Sequence, residues 1–273
     1  MIKNCLMQDS KTIIISITSD ISLYLCNNVL KNHQIIGTYR KSNKELNQFK
    51  YNDKINLLKL DLTKQSNLKN FVRKNKKILN NWSNCIISIG AQKPIGMFKD
   101  LNSDQISESI DINFKNQIII LNLLLPLRKK REIKNVITWA GPGTNNANKL
   151  YFPYTISKIA LIKSMELLDF EFQDVKFCIL GPGWVKTKIH KETLANKKKA
   201  EKNYIVTKKI LNGTLSIDTS MKDINDCVRW IFDSKKKDVG GRNFSVKHDE
   251  WKKLKFLDKI RKNHNNFKLR RKS

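Results

Sequence analysis

Apolar residues along this chain fall into short β-branched runs separated by longer stretches of helical period. Residues 12–17 read TIIISI, a run of the kind buried on both faces in a parallel sheet. Thr18-Ser19-Asp20 follows as an N-cap cluster, and Ile21, Leu23, Leu25, Val29 and Leu30 then recur at roughly helical spacing. A second strand at 34–38 completes a βαβ unit, whose crossover is right-handed in nearly all folds. The pattern continues with strands at 55–60, 85–89, 136–139 and 176–180 and helices at 68–79, 104–127, 154–171 and 223–232. In 104–127 the residues Ile106, Ile110, Phe114, Ile118, Leu121 and Leu125 share one face, and residues 240–246 read as a turn into a last strand. Strands alternating with helices predict an α/β fold, a Rossmann-type doubly wound parallel sheet with helices on both faces in three αβα layers. One domain is expected over 1–250. Within it, the polar and basic stretch 188–212 reads as a substrate lid or an exposed helix, and 251–273 as a basic C-terminal tail, solvated or frayed.

Composition changes this picture little. The 273 residues carry 53 Lys and Arg against 24 Asp and Glu, a net charge of +29. Such an excess suits nucleic acid or an anionic surface, but the cations are spread along the whole chain among many Asn and Ile, so a compositional origin is favoured over a nucleic-acid partner. No apolar run is long enough to span a membrane, and the polar opening residues lack the grammar of a signal peptide; a soluble, cytoplasmic protein is expected. The five cysteines, Cys5, Cys26, Cys85, Cys178 and Cys227, show no metal-ligand spacing and read as reduced thiols, mostly in the core.

Candidate chemistry collects where strands end. In open parallel sheets ligands lie at the carboxyl ends of the strands, and Thr18, Ser19, Arg40, Asp61, Gly90, Thr138, Pro182 and Thr187 all fall there. Tyr154 and Lys158 stand four apart in a helical segment and so share a face. An ammonium near a phenol favours the ionised form, which suits the pair to proton exchange with an alcohol or carbonyl. Taken alone, such a pair also occurs on ordinary surface helices.

In order and spacing over about residues 12–189 these motifs resemble the short-chain dehydrogenase/reductase family. Tyr154 and Lys158 match its YxxxK pair, which implies Tyr154 as catalytic acid/base and Lys158 as the residue that tunes it and holds the nicotinamide ribose. Asn113, in Asp111-Ile112-Asn113, matches the family Asn that helps carry a proton-relay water. The segment from Pro182 and Gly183 through Val185 to Thr187 matches PGxxxT beside the nicotinamide carboxamide. Asp61-Leu62 matches the pair that contacts adenine, and Ser88-Ile89-Gly90 stands where NNAG is usual. After the second strand, NAD-preferring members carry an acidic residue, whereas this chain has Thr38, Arg40 and Lys41, which suit a ribose 2′-phosphate. NADP(H) is therefore favoured over NAD(H).

Two departures stand out. The family's TGxxxGxG turn aligns on Ile15 to Ser22, with Ser16 and Ser22 at glycine positions and Asp20 at the middle one, beside Thr18, Ser19 and Ile21. Side chains there add bulk, and Asp20 adds negative charge, near the expected phosphates. The family's catalytic Ser is missing: 138–144 reads TWAGPGT, with Thr138 and Thr144 as candidate hydroxyls and Thr144 slightly favoured, although counting back from Tyr154 lands nearer Gly141 or Pro142. The resemblance implies hydride transfer between nicotinamide and a carbonyl or secondary alcohol, in a homodimer or homotetramer. A degenerate, non-catalytic nucleotide-binding or regulatory protein is the alternative. Lys186, Lys188, His190 and Lys191, just past the nicotinamide segment, suit an anionic or sugar-linked substrate.

Overall fold

The computed structural model describes residues 10–143 and 146–271. Seven strands form one parallel sheet in the order β3-β2-β1-β4-β5-β6-β7. They are β1 (Lys11–Ile15), β2 (Gln34–Tyr39), β3 (Ile55–Lys59), β4 (Asn84–Ile87), β5 (Lys134–Trp139), β6 (Val175–Gly181) and β7 (Arg242–Ser245). The order reverses between β1 and β4, which opens a crevice at their carboxyl ends.

Because side chains alternate along a strand, strands β1 to β6 each feed two cores. Ile13, Ile15, Cys85, Ile87, Val136 and Phe177 pack on one face, against the helices α2 (Ser66–Lys74), α5 (Asn116–Leu124) and α6 (Phe152–Glu171). Ile14, Ile86, Ile137, Cys178 and Leu180 pack on the other, against α1 (Asp20–Cys26), α10 (Met221–Asp233) and the short α11 (Lys236–Val239). Cys26, Cys85, Cys178 and Cys227 are buried and free; Cys5 lies outside the described residues. Among the described residues no helix is long and apolar enough to cross a membrane.

Three expectations change. The segment 68–79 breaks at Asn75 into α2 and the short α3 (Lys76–Leu79). The segment 104–127 is not one regular helix: α4 (Ser103–Ile110) passes through a π-helical turn, Asp111–Lys115, into α5 and a 3-10 turn, Leu125–Leu127. The third concerns the basic end. Trp251, Phe256 and Ile260 are buried, the last two one turn apart on α12 (Lys255–Lys262), whose lysines face out. Arg261 grips Asp238 with two bonds of 2.8 and 2.9 Å, Arg270 reaches Glu166, and the Asn243 N–H donates to the Phe267 carbonyl at 2.8 Å. The end of the chain thus covers the open edge beside β7 instead of fraying, because its apolar residues recur at helical spacing among the cations.

Residues 188–212 form a 3-10 turn and the short helices α7 (Lys191–Ala195), α8 (Lys197–Ala200) and α9 (Lys202–Leu211).

Candidate active site

The crevice at the switch point is a cleft of about 1510 Å³. Its lining holds Ser16, Thr18, Ser19, Asp20, Ile21, Arg40, Asp61, Leu62, Gly90, Tyr154, Lys158, Pro182, Gly183, Val185 and Thr187, so strand ends far apart in sequence converge on one cleft. Asn113 is buried behind them, and Thr144 lies outside the described residues.

At the end of β1, Ser16 takes a left-handed backbone, φ 70°, a conformation costly for any residue with a Cβ. Its N–H donates to the Thr38 hydroxyl at 3.1 Å. Ser19 caps α1 by accepting from the Ser22 N–H at 3.1 Å, and its hydroxyl donates to that of Ser22 at 2.9 Å. Ser22 is consequently fully buried against the cap and adds no bulk to the cleft, contrary to the sequence expectation. Asp20 does face the cleft, where its carboxylate accepts the Lys188 N–H at 2.6 Å.

Arg40 is exposed at the rim where β2 ends. Asp61 accepts from both the N–H and hydroxyl of Thr63, at 3.0 and 2.7 Å. Although its partial burial pushes the other way, these bonds, with the charges of Arg40 and Lys64, hold the Asp61 carboxyl below its ordinary range. Leu62 is fixed by the Asn116 amide, which donates to its carbonyl at 2.7 Å.

On the floor, Tyr154 and Lys158 are both buried on α6. Lys158 Nζ donates to the Ile89 carbonyl at 3.0 Å and lies 5.7 Å from the centre of the Tyr154 ring. Their spacing is as the sequence implied, but their electrostatics differ. Burial, helped by the charge of Glu192, raises the Tyr154 phenol, and burial lowers Lys158 to about 7. Desolvation outweighs the attraction between them, so each is driven toward its neutral form.

Asn113 sits in the π-helical turn. Its amide donates to the Ala91 carbonyl at 2.8 Å and its oxygen accepts the Ala91 N–H at 2.9 Å, which fastens the helix to the segment after β4. The Gln117 amide, fully buried, donates at 3.0 Å to the carbonyls of both Ile112 and Asn113. A π turn interrupts the regular i to i+4 ladder, and Gln117 satisfies the carbonyls involved. A polar residue beside the apolar run 118–121 was its only sequence signal.

Thr138 is fully buried and does not line the cleft, so it is no substitute for the missing Ser. The residue that faces Tyr154 there is Gly141. A Cβ at Gly141 would meet Lys158 Cγ at 2.9 Å and Tyr154 Cε1 at 3.0 Å. Hydroxyls approach from elsewhere: Tyr151 and Thr193 bond at 2.9 Å, and Thr193 donates to Gln92 Oε1 at 2.8 Å. Glu192 accepts from the N–H groups of Gln92 and Lys93. All but Lys93 line the cleft, and no motif pointed to them.

Past β6, Gly183 has φ 76°, and the Thr187 hydroxyl donates to the Val185 carbonyl at 3.4 Å. The cations expected to meet an anionic substrate are otherwise engaged. Lys186 lies 3.7 Å from Asp218, and Lys188 pairs with Asp20 and Glu45. His190 stacks on Trp184 at 3.8 Å, with its pKa lowered by burial against the opposing bond to Val185. Lys191 does not line the cleft.

A family model described as short chain dehydrogenase matches residues 6–198. The chain belongs to this family. A search of curated proteins gives no match. Among solved structures, the dehydrogenase is similar to a short-chain dehydrogenase/reductase from Saccharomyces cerevisiae, at 18% identity and a TM-score of 0.76, over 91% of this chain and 98% of that one. It is also similar to a putatively named short chain dehydrogenase from Shigella flexneri complexed with NADP, at 15% identity and a TM-score of 0.73, over 89% and 99%. A third is a variant of the actinorhodin polyketide ketoreductase with NADPH, at 12% and 0.74, over 88% and 96%. At these identities the likeness shows the fold. Family membership makes the chain an oxidoreductase of the nicotinamide-dependent kind.

Proposed function

We propose that this short-chain dehydrogenase uses NADP(H) to interconvert a carbonyl and a secondary alcohol, with Tyr154 as the proton donor in reduction. The observation that carries this reading is the buried Tyr154–Lys158 pair on the floor of a cleft whose far rim carries Arg40.

The cleft suits a dinucleotide in both extent and shape. It runs from Arg40 and Asp61, past the Ser16–Ile21 turn, to Tyr154, Val185 and Thr187. Gly90 keeps the space before Tyr154 clear, since a Cβ there would stand 3.3 Å from Ile189 Cδ1 and 3.9 Å from the phenol oxygen. Asp61, Leu62 and Arg40 would hold the adenosine end, and Val185 and Thr187 the carboxamide. Two similar structures are described with NADP or NADPH. When bound, the nicotinamide supplies or accepts the hydride.

The chain's own residues handle the proton. A phenol held neutral by burial is the right species to protonate an alkoxide as it forms. Lys158, lowered to about 7 by burial, returns positive charge to the floor when protonated and so eases loss of the phenolic proton. Asn113 holds the segment after β4 in register with Tyr154. Since Gly141 brings no hydroxyl, the nearby second donor to the substrate oxygen is the Tyr151 hydroxyl, which would leave Thr193 to make that bond. Arg40, with no acidic residue beside it on β2, favours a 2′-phosphate.

Titrating the protein with NADPH and NADH, followed by tryptophan fluorescence, tests the cofactor. The expected result is tighter binding of NADPH; binding of neither would refute the reading. Tyr154→Phe should abolish turnover with NADPH binding retained, and a fully active variant would remove Tyr154 from the chemistry.

A further inference from the structure

One lid cation is held at the cleft rim by two acids, in an arrangement the family motifs do not explain. The Lys188 N–H donates to Asp20 Oδ2 at 2.6 Å. Its ammonium donates to the Thr18 carbonyl, 3.4 Å from Glu45 Oε1 and 3.8 Å from Asp20 Oδ1. Thr18, Asp20, Glu45 and Lys188 all line the cleft, and the Lys188 side chain keeps 39% of its surface exposed.

Two carboxylates face this one ammonium, and Lys44 lines the cleft beside Glu45. A diphosphate entering beside Thr18 would meet repulsion from Asp20 and Glu45, both within reach of a charge at Lys188. The Lys188 ammonium is bound to groups it can leave: a neutral carbonyl and a partly exposed carboxylate, where ion pairs are weak. Its main chain is anchored independently, through the N–H on Asp20.

We propose that Lys188 is the diphosphate-binding side chain of this cleft. On entry of a dinucleotide, its ammonium exchanges Thr18 and Glu45 for a diphosphate oxygen, while its N–H remains on Asp20 and keeps the lid over the ligand. The inference rests on the nicotinamide reading above. It assigns Asp20 two opposed effects: its charge opposes the diphosphate, and its oxygen positions the residue that attracts it.

Dissociation constants for NADPH, measured by tryptophan fluorescence on the full chain, test the assignment with two substitutions. Lys188→Gln should weaken NADPH about tenfold, the worth of one charge-assisted hydrogen bond. Asp20→Asn removes the charge but keeps an oxygen to accept the Lys188 N–H, and should tighten NADPH about threefold, as for a partly screened charge. If Lys188 were only a latch, its main-chain N–H would hold position 20 in both variants, and Lys188→Gln would bind NADPH as the parent does; that result would overturn the proposal and leave the cofactor reading standing. Failure of the unsubstituted protein to bind NADPH would overturn both.

Discussion

Ser16 holds a backbone conformation that carries a measurable cost. Its φ of 70° puts a Cβ in the left-handed region, which disfavours an L-residue by about 1–2 kcal/mol. Ser16→Gly removes that cost and keeps both main-chain bonds of the turn, the N–H to Thr38 at 3.1 Å and the carbonyl to the Ser19 N–H at 3.1 Å. Against this, glycine gives the unfolded chain more freedom, which costs about 0.4–1 kcal/mol. The balance is a gain of about 0.5–1 kcal/mol, or a Tm higher by roughly 1–3 °C for a protein of this size.

Thermal unfolding without cofactor reads the first effect, and an NADPH titration reads the second. Ser16 lines the cleft, so removing its Cβ should leave NADPH binding at least as tight. Ser16→Ala is the control: it keeps the Cβ and the strain and loses only the hydroxyl, which bonds none of the described residues, so its Tm should match the parent. A Ser16→Gly protein that melts at or below the parent temperature would refute the strain argument. Weaker NADPH binding by both variants would instead make the Ser16 hydroxyl a ligand to the cofactor.

Two further outcomes follow from buried polar groups. Gln117→Leu leaves the Ile112 and Asn113 carbonyls without their amide donor, a cost of about 1–3 kcal/mol; a denaturation midpoint equal to the parent's would show that these carbonyls find other partners. Lys158 has a folded pKa of about 7 against its ordinary 10.5. Between those values the unfolded chain holds a proton that the folded chain has released, so this residue makes stability rise with pH across that window. Comparing urea midpoints at pH 7.5 and pH 9.5, the parent should gain more than Lys158→Met, and equal gains would refute a depressed lysine.

The sheet was legible because the inner strands bury both faces, so short runs such as 13–15 and 85–87 are apolar throughout and stand out between helical stretches. The order of the motifs was legible for a related reason: a switch point gathers strand ends, so Arg40, Asp61, Gly90 and Thr187 lie together although far apart in sequence. The π turn at Asn113 was not, since Ile106, Ile110, Phe114 and Ile118 recur every four residues and read as one continuous helical face. Nor was the docked C-terminal segment, whose Phe256 and Ile260 were outweighed by the cations around them. The burial that raises the Tyr154 phenol was not legible either, because spacing reports which groups are neighbours and not what covers them. Lys158 alone would lower the phenol, and the desolvation that reverses the sign comes from Ile95, Leu150 and Ala200, which pack with Tyr154 in one cluster. Of these, Ala200 belongs to the basic stretch that read as a lid, so part of what sets the acidity of Tyr154 is whether that stretch stays in place.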